Sequence, residues 1–378
     1  MSDTRGVALI IVLAIVAILS VLVIEFSYSV WVDMYLSANY MSRTQAIEAA
    51  KAGVEYAIYV LRRDEDRRID SLGEEWAQPL EITIGELVPP PDPDEEEATT
   101  DWYDELSERM TGRLVEPRVG GTARVLIIDE ERKIGLSTLG NAVFRPIFVE
   151  ILERLIEEMN VPNMSASELV EQMVDWVDED DVGPWEYVYE TLVDPYLAMN
   201  RPFDTVHELR LLADMTDTLL YGTVPYPEVE PGYNSDEDTD WVDYESRLGP
   251  DDAYGLVNFV HCQSAYTVNV NTAPREVLTA IFDGDSIVAE EIIAKRQDEP
   301  FGRADLNVDE KSRLGALVTE LGGEYNKFKH ARWLDVKSSF FRIESTGEYR
   351  GVKVKVTALV LWSDRDVTIQ YYRIENVE

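Results

Sequence analysis

Thiol and imidazole are scarce in this 378-residue chain: Cys262 is the one cysteine, and His207, His261 and His330 are the only histidines. A single cysteine excludes an intrachain disulfide. The histidines are scattered, and "HELRL" at His207 lacks the second His of a zinc-protease helix. "GLSTLG" around Ser137 is not a G-x-S-x-G elbow, and there is no P-loop or glycine fingerprint. Basic residues are also few, 34 Lys and Arg against 73 Asp and Glu, for a formal net charge of −39. Such a chain is repelled by nucleic acid and by anionic headgroups, and suits cations or basic partners. Carboxylates are so abundant that pairs of them carry no signal for glycoside cleavage. These absences leave a non-enzymatic protein as the expectation.

What is present begins at the N-terminus. Val7 to Ile24 contains no charge, and Ser20 is its only hydroxyl. As a helix this run rises about 27 Å, enough to cross a hydrocarbon core. No A-x-A site closes it, unlike an export signal. Between Glu25 and Asp64 there is no Pro and one Gly, Gly53. Ile47, Ala50, Val54, Ala57, Ile58 and Leu61 fall on one helical face. The pattern predicts one helix from about Val7 to about Arg63, membrane-embedded and then amphipathic. Arg5 and the amino terminus favour an N-in orientation, which Asp3 dilutes.

Further on, residues 87–105 are Pro-rich and acidic and read as a loop; residues 228–250 form a second acidic insertion. Arg124 to Asp129 reads as a strand, and two alternating strands flank a turn at Glu348–Gly351. Val352, Val354, Val356, Ala358 and Val360 share one face there, with Lys353 and Lys355 opposite. The middle reads as mostly helical. Val143, Ile147, Ile151, Leu155 and Met159 form a stripe, Ser165/Glu168 and Thr205/Glu208 form capping boxes, and a helix begins near Thr272 with Pro274 in its first turn. The fold class is therefore α+β, with a large all-α domain inserted between one sheet strand and the last ones.

Several ordered motifs carry a family resemblance: "MSDTRG" before the apolar helix, "AAKAGVEYAIYVLRRD", "DEERKIGLSTL", "DWVDEDD", "NRPFDTVHELRLL", "VNVNTAPREVLTAIF" and "STGEYRGVKVKV". The chain resembles the type II secretion system protein K (general secretion pathway protein K) family of minor pseudopilins. The resemblance implies a pseudopilin fold, a long N-terminal transmembrane helix plus an antiparallel sheet. The expected division is leader 1–6, helix 7–70 with its transmembrane part at 7–25, first α+β part 71–139, helical insertion 140–329 and closing strands 330–378. It also implies prepilin peptidase cleavage between Gly6 and Val7, N-methylation of Val7, and Ile11 where most pilin-like subunits carry a glutamate. A buried carboxylate is expensive unless paired with a neighbour's terminus. A subunit lacking it fits the filament tip, where no subunit lies above. Implied partners are other minor pseudopilins in a tip complex, the peptidase and the inner membrane, with the C-terminal bulk in the periplasm and no nucleic acid.

Asp175, Asp178, Glu179, Asp180 and Asp181, with Glu186 nearby, offer hard oxygen ligands suited to Ca²⁺, though the spacing is not that of an EF-hand. A solvated acidic loop ending a helix has the same composition. Calcium in the helical domain is a property the resemblance implies, and the spacing of the residues makes Asp175, Asp178, Asp180, Asp181 and Glu186 the candidate ligands. "GPWEYVY" departs from the family pattern beside them. Residues 268–306 also look like a helix-hairpin-helix unit, which makes a membrane-tethered DNA-binding protein the alternative. Its connection, Asp283-Gly284-Asp285, puts carboxylates where phosphate would sit, and Lys295 and Arg296 do not offset them.

Overall fold

The computed structural model describes residues 4–64, 68–84, 121–158, 161, 164–180, 182–192, 195–222, 255–307, 312–322, 332–363 and 366–377. Side chains before Val12 and after Glu375 are outside that description. Helix α1 runs unbroken over Thr4–Arg63, which the absence of Pro permits. Its residues from Val12 are long and apolar enough to cross a membrane. Val12 to Ile24 expose their apolar side chains, and the later half is held by a sheet. Tyr28, Trp31 and Tyr35 follow one another along the helix with ring centroids 6.4 and 5.8 Å apart. They stand just past Glu25, where aromatic side chains mark a membrane–water boundary.

The sheet has five antiparallel strands in the order β1-β2-β7-β8-β9: β1 Leu80–Ile84, β2 Gly121–Asp129, β7 Phe340–Tyr349, β8 Val352–Ser363 and β9 Asp366–Val377. One face buries Ala123, Val125, Ile127, Phe341, Ile343, Val356, Ala358 and Val360 against Ala50, Val54, Ala57, Ile58 and Leu61 of α1. The register that aligns Ile127 with Ile343, and Ile343 with Ala358, keeps these apolar residues on one side. Close approach depends on two glycines. A Cβ on Gly347 would overlap the backbone of Ala46 and Ala50, and one on Gly53 would meet Ser345 and Val125. On the other face Arg342 and Lys355 pair with Glu344 at 3.1 and 2.7 Å.

A second core spans Ile134 to Val336. It is built from α2 (Arg145–Glu158), α3 (Ala166–Val177), α4 (Glu186–Glu190), α5 (Asp217–Tyr221), α6 (Arg275–Ile281), α7 (Ser286–Asp298) and α8 (Arg313–Glu320), with short 3₁₀ turns between them. Two parallel ladders close it at the base: β3 (Ile134–Gly135) with β4 (Val260–His261), and β5 (Val268–Asn269) with β6 (Leu334–Asp335). The helical insertion thus leaves the sheet after β2 and returns before β7, as expected.

Local details depart from the sequence reading. Val143 lies outside α2 and is exposed, because Asn141 closes a turn onto its N–H. Met159 is not among the described residues. Pro274 is the N-cap of α6, in extended geometry, so that helix starts at Arg275. Thr205 and Glu208 do form a reciprocal capping box, but on a 3₁₀ turn, Val206–Leu211. Ser165 accepts the Glu168 N–H at 3.3 Å.

Candidate functional site

Gly6, Val7 and Ile11 all lie in α1. Of the acidic group, Asp181 is outside the described residues. The others surround the end of α3. The Trp185 N–H donates to Asp175 Oδ2 at 3.0 Å, the Gly183 N–H to Glu186 Oε2 at 2.8 Å, and the Val182 N–H to Asp180 Oδ1 at 2.9 Å. Gly183 is forced by this arrangement, since a Cβ there would overlap the Asp175 carboxylate. Burial, and then the charges of Asp180 and Asp175, raise the pKa of Asp178. Beneath the loop, Trp176 packs on Tyr189 and Phe203, which fixes the helix end. The described carboxylates do not bring three ligand atoms within 4.8 Å of one another; among the described residues the group that does is Asp64, Asp70 and Glu74.

The hairpin between α6 and α7 has Asp283 and Gly284 at φ 57° and 84°. Asp285 caps α7 by accepting from the Ile287 and Val288 N–H groups. Glu150 of α2 abuts Gly284, and Arg154 donates to its carbonyl at 3.1 Å. A phosphate approaching this turn would meet three carboxylates. Arg296 points inward and donates to the Val270 and Ala273 carbonyls at 2.9 and 2.7 Å. The geometry therefore makes the hairpin a packing unit. The Ser137 hydroxyl donates to the Gln263 and Ala265 carbonyls, and His207 faces the Tyr221 hydroxyl at 3.1 Å; His330 is outside the described residues.

The most concentrated polar arrangement lies where α1, the sheet and the helical domain meet. The 3₁₀ turn Glu130–Arg132 follows β2 directly, and Asp129 through Lys133 are all buried. Asp129 accepts from the Thr272 and Ser338 hydroxyls at 2.6 and 2.7 Å, from Asn269 Nδ2 at 3.2 Å and from the Glu131 N–H at 2.8 Å. Its partners come from β5, the start of α6 and the entry to β7, so one carboxylate ties three elements together. Burial raises its pKa against those donors. Glu131 accepts from the Ser339 and Phe340 N–H groups, and burial with the Asp129 charge pushes it up to about 8. Asp70, buried beside Asp129, is pushed up to about 8 for the same reasons.

Glu130 behaves oppositely. Burial favours its neutral form, but Lys133 at 3.2 Å, Arg342 at 2.8 Å and His261 outweigh that and bring it down to about 2. Burial holds His261 at about 4 and lowers Lys133. "DEERK" stands out in the sequence only as a charge run after a strand, and such runs are usually solvated. Its signal lay in that position, between the sheet and the insertion.

Comparison with known proteins follows the same division. Residues 134–229 and 268–312 match two family models, each described as type II secretion system (T2SS), protein K, and residues 5–55 match PilX N-terminal. Type II secretion system protein K of Pseudomonas aeruginosa is 28% identical over 366 residues, covering 93% of this chain and 87% of the relative. That of Aeromonas hydrophila is 23% identical over 228 residues, 58% of this chain and 62% of the relative. The solved structure of a GspK-GspI-GspJ complex from enterotoxigenic Escherichia coli contains a chain similar in fold, with a TM-score of 0.54 and 15% identity. The match covers 90% of this chain and 99% of that one. Domain models on both sides of the acidic insertion, a near full-length relative and a shared α+β frame with a helical insertion agree: the chain belongs to the type II secretion system protein K family.

Proposed function

We propose that this minor pseudopilin sits at the tip of the type II secretion pseudopilus, where it initiates assembly and caps the filament as a structural, non-enzymatic subunit. The carrying observation is the shape of the molecule: a single helix, exposed and apolar at one end and clasped by a sheet at the other, bearing a helical domain far bulkier than the sheet. Such bulk limits what can stack above it. Ile11 in place of the pairing glutamate supports the same position, since no terminus is received there. The edge strand β9 exposes Ile369, Tyr371, Tyr372 and Ile374. That apolar edge suits other minor pseudopilins as partners, like those of the Escherichia coli GspK-GspI-GspJ complex.

In this reading the leader is removed between Gly6 and Val7 by a prepilin peptidase, Val7 is N-methylated, α1 spans the inner membrane once, and the bulk lies in the periplasm. Mass spectrometry of the mature N-terminus tests it, and intact Met1 in a strain with active prepilin peptidase overturns it. Co-purification with the other minor pseudopilins is expected, whereas retention of DNA instead would favour the hairpin alternative. Ile11→Glu should let further subunits add above this one and lengthen filaments; unaltered filaments would remove the tip argument.

Structural Ca²⁺ belongs to the same proposal. Asp175, Asp178, Asp180, Asp181 and Glu186 would hold it, and their oxygen chemistry suits a hard cation. The fit is partial, because Asp175, Asp180 and Glu186 each already accept a loop N–H and the described ligand atoms do not converge. When bound, the ion would neutralise the charge gathered around Asp178. Ca²⁺ should then raise the melting temperature relative to EGTA, and Asp175→Asn should abolish that increment.

A further inference from the structure

We propose that Asp64, Asp70 and Glu74 form a second cation site, for a hard divalent ion of the Ca²⁺ class, at the point where the anchor helix ends. One ligand atom from each lies within 4.8 Å of the other two. Ca²⁺ takes oxygen ligands at about 2.3–2.6 Å, so oxygens on opposite sides of one ion stand about 4.6–5.2 Å apart. The three carboxylates therefore fit inside a single coordination sphere.

Acidic side chains gather on many surfaces without a ligand, and here the decisive residue is not on the surface. Asp70 is wholly buried. Its Oδ2 accepts the Ser338 N–H at 2.6 Å, whereas Oδ1, equally buried, has no hydrogen-bond partner. A carboxylate oxygen enclosed in this way is costly unless a positive charge meets it. Asp64, Glu74 and Asp129 surround it with further negative charge.

The ligands are also held in place by bonds that owe nothing to an ion. Asp70 donates its N–H to the Val336 carbonyl at 2.8 Å, and its carbonyl accepts from Asn269 Nδ2 at 3.0 Å. Glu74 Oε1 accepts from the Ser71 N–H and hydroxyl at 2.7 and 3.0 Å, and Oε2 accepts from the Trp76 indole at 2.9 Å. Asp64 directly follows the last residue of α1 and donates its N–H to the Leu61 carbonyl. Two ligands are thus preorganised on the connector, and the third is delivered by the helix. Three hard carboxylate donors select Ca²⁺-like ions over soft metals. Occupancy would fasten the end of the anchor helix to the joint between sheet and helical domain.

The site is separable from the α3 loop, and so is its test. Full-length protein in detergent, carrying Asp175→Asn and Asp178→Asn to disable that loop, is titrated with Tb³⁺ under tryptophan excitation. Trp76, bonded to Glu74, is the expected sensitiser. We expect Tb³⁺ emission that Ca²⁺ displaces, lost on Trp76→Phe, with Ca²⁺ affinity weakened roughly tenfold or more by Asp64→Asn or Glu74→Gln. Asp64 is only partly buried, so its variant keeps the fold available for the measurement. Absence of Ca²⁺-displaceable emission in the loop-disabled background overturns the site, as does emission indifferent to Asp64→Asn and Trp76→Phe.

Discussion

Gly347→Ala should loosen the clasp between α1 and the sheet without touching the helical domain. The added methyl would overlap Ala46 O and Ala50 N and stand 3.0 Å from Ala50 Cα, all of them backbone of one helix. No side-chain rotation relieves such an overlap, so α1 must withdraw by roughly 1 Å. A gap of that size forfeits a quarter to a half of each affected contact. Those contacts belong to Ala50, Val54 and Ala57 against Val125, Ile343 and Val356. Overpacking typically costs about 1–3 kcal/mol, and backbone-on-backbone contact places this case at the upper end. Alanine recovers about 0.5–1 kcal/mol of backbone entropy relative to glycine. The net loss is about 2–2.5 kcal/mol. Hydrogen exchange by mass spectrometry reads this locally. Peptides covering 340–349 and 46–61 should lose roughly 30- to 70-fold protection, while 166–177 should be unaffected. Gly351→Ala is the control: its φ of 80° disfavours alanine, but a Cβ there meets nothing, so it should cost about 1 kcal/mol and leave the helix contact closed. Protection in 340–349 within threefold of wild type for Gly347→Ala would refute the reasoning.

Three further outcomes follow from the polar joint and the α3 loop. Asp129→Ala removes the acceptor of the Ser338 hydroxyl and the Glu131 N–H and the shorter bond of the Thr272 hydroxyl, while Asn269 Nδ2 keeps the Asp70 carbonyl, and should cost about 3 kcal/mol in chemical denaturation. His261, held at about 4 against an ordinary 6.5, contributes stability that is present above pH 6.5 and lost as pH falls toward 4. At about 1.4 kcal/mol per pH unit, wild type should lose about 2–3 kcal/mol more than His261→Gln between pH 6.5 and 4.5; parallel curves would contradict the assignment. Gly183→Ala should displace the Asp175 carboxylate and lower the melting temperature, whereas Asp175→Gly in the same background should restore part of the loss.

The sequence made the frame legible wherever periodicity was long. The helix to Arg63 and the β7–β8 hairpin both follow from patterns sustained over ten or more residues. Shorter signals misplaced boundaries: Val143 continued an apolar stripe numerically, but Asn141 turns the chain before it. The joint was the least legible part. Asp129 gains its meaning from Asn269, Thr272 and Ser338, which lie 140 or more residues away, and no local pattern announces such a meeting. The same holds for Asp64, Asp70 and Glu74, which read as part of a mixed charge run until Ser338 buries Asp70.

The unbroken course of α1 has a mechanical consequence. Sixty residues of continuous helix make a rod of about 90 Å. With no proline to hinge it, and with Gly53 clamped beneath Ser345 and Val125, the rod has no compliant point between bilayer and cap. Rotation or lift applied at its lower end is therefore carried along one continuous helix into the sheet and, through it, to the helical domain.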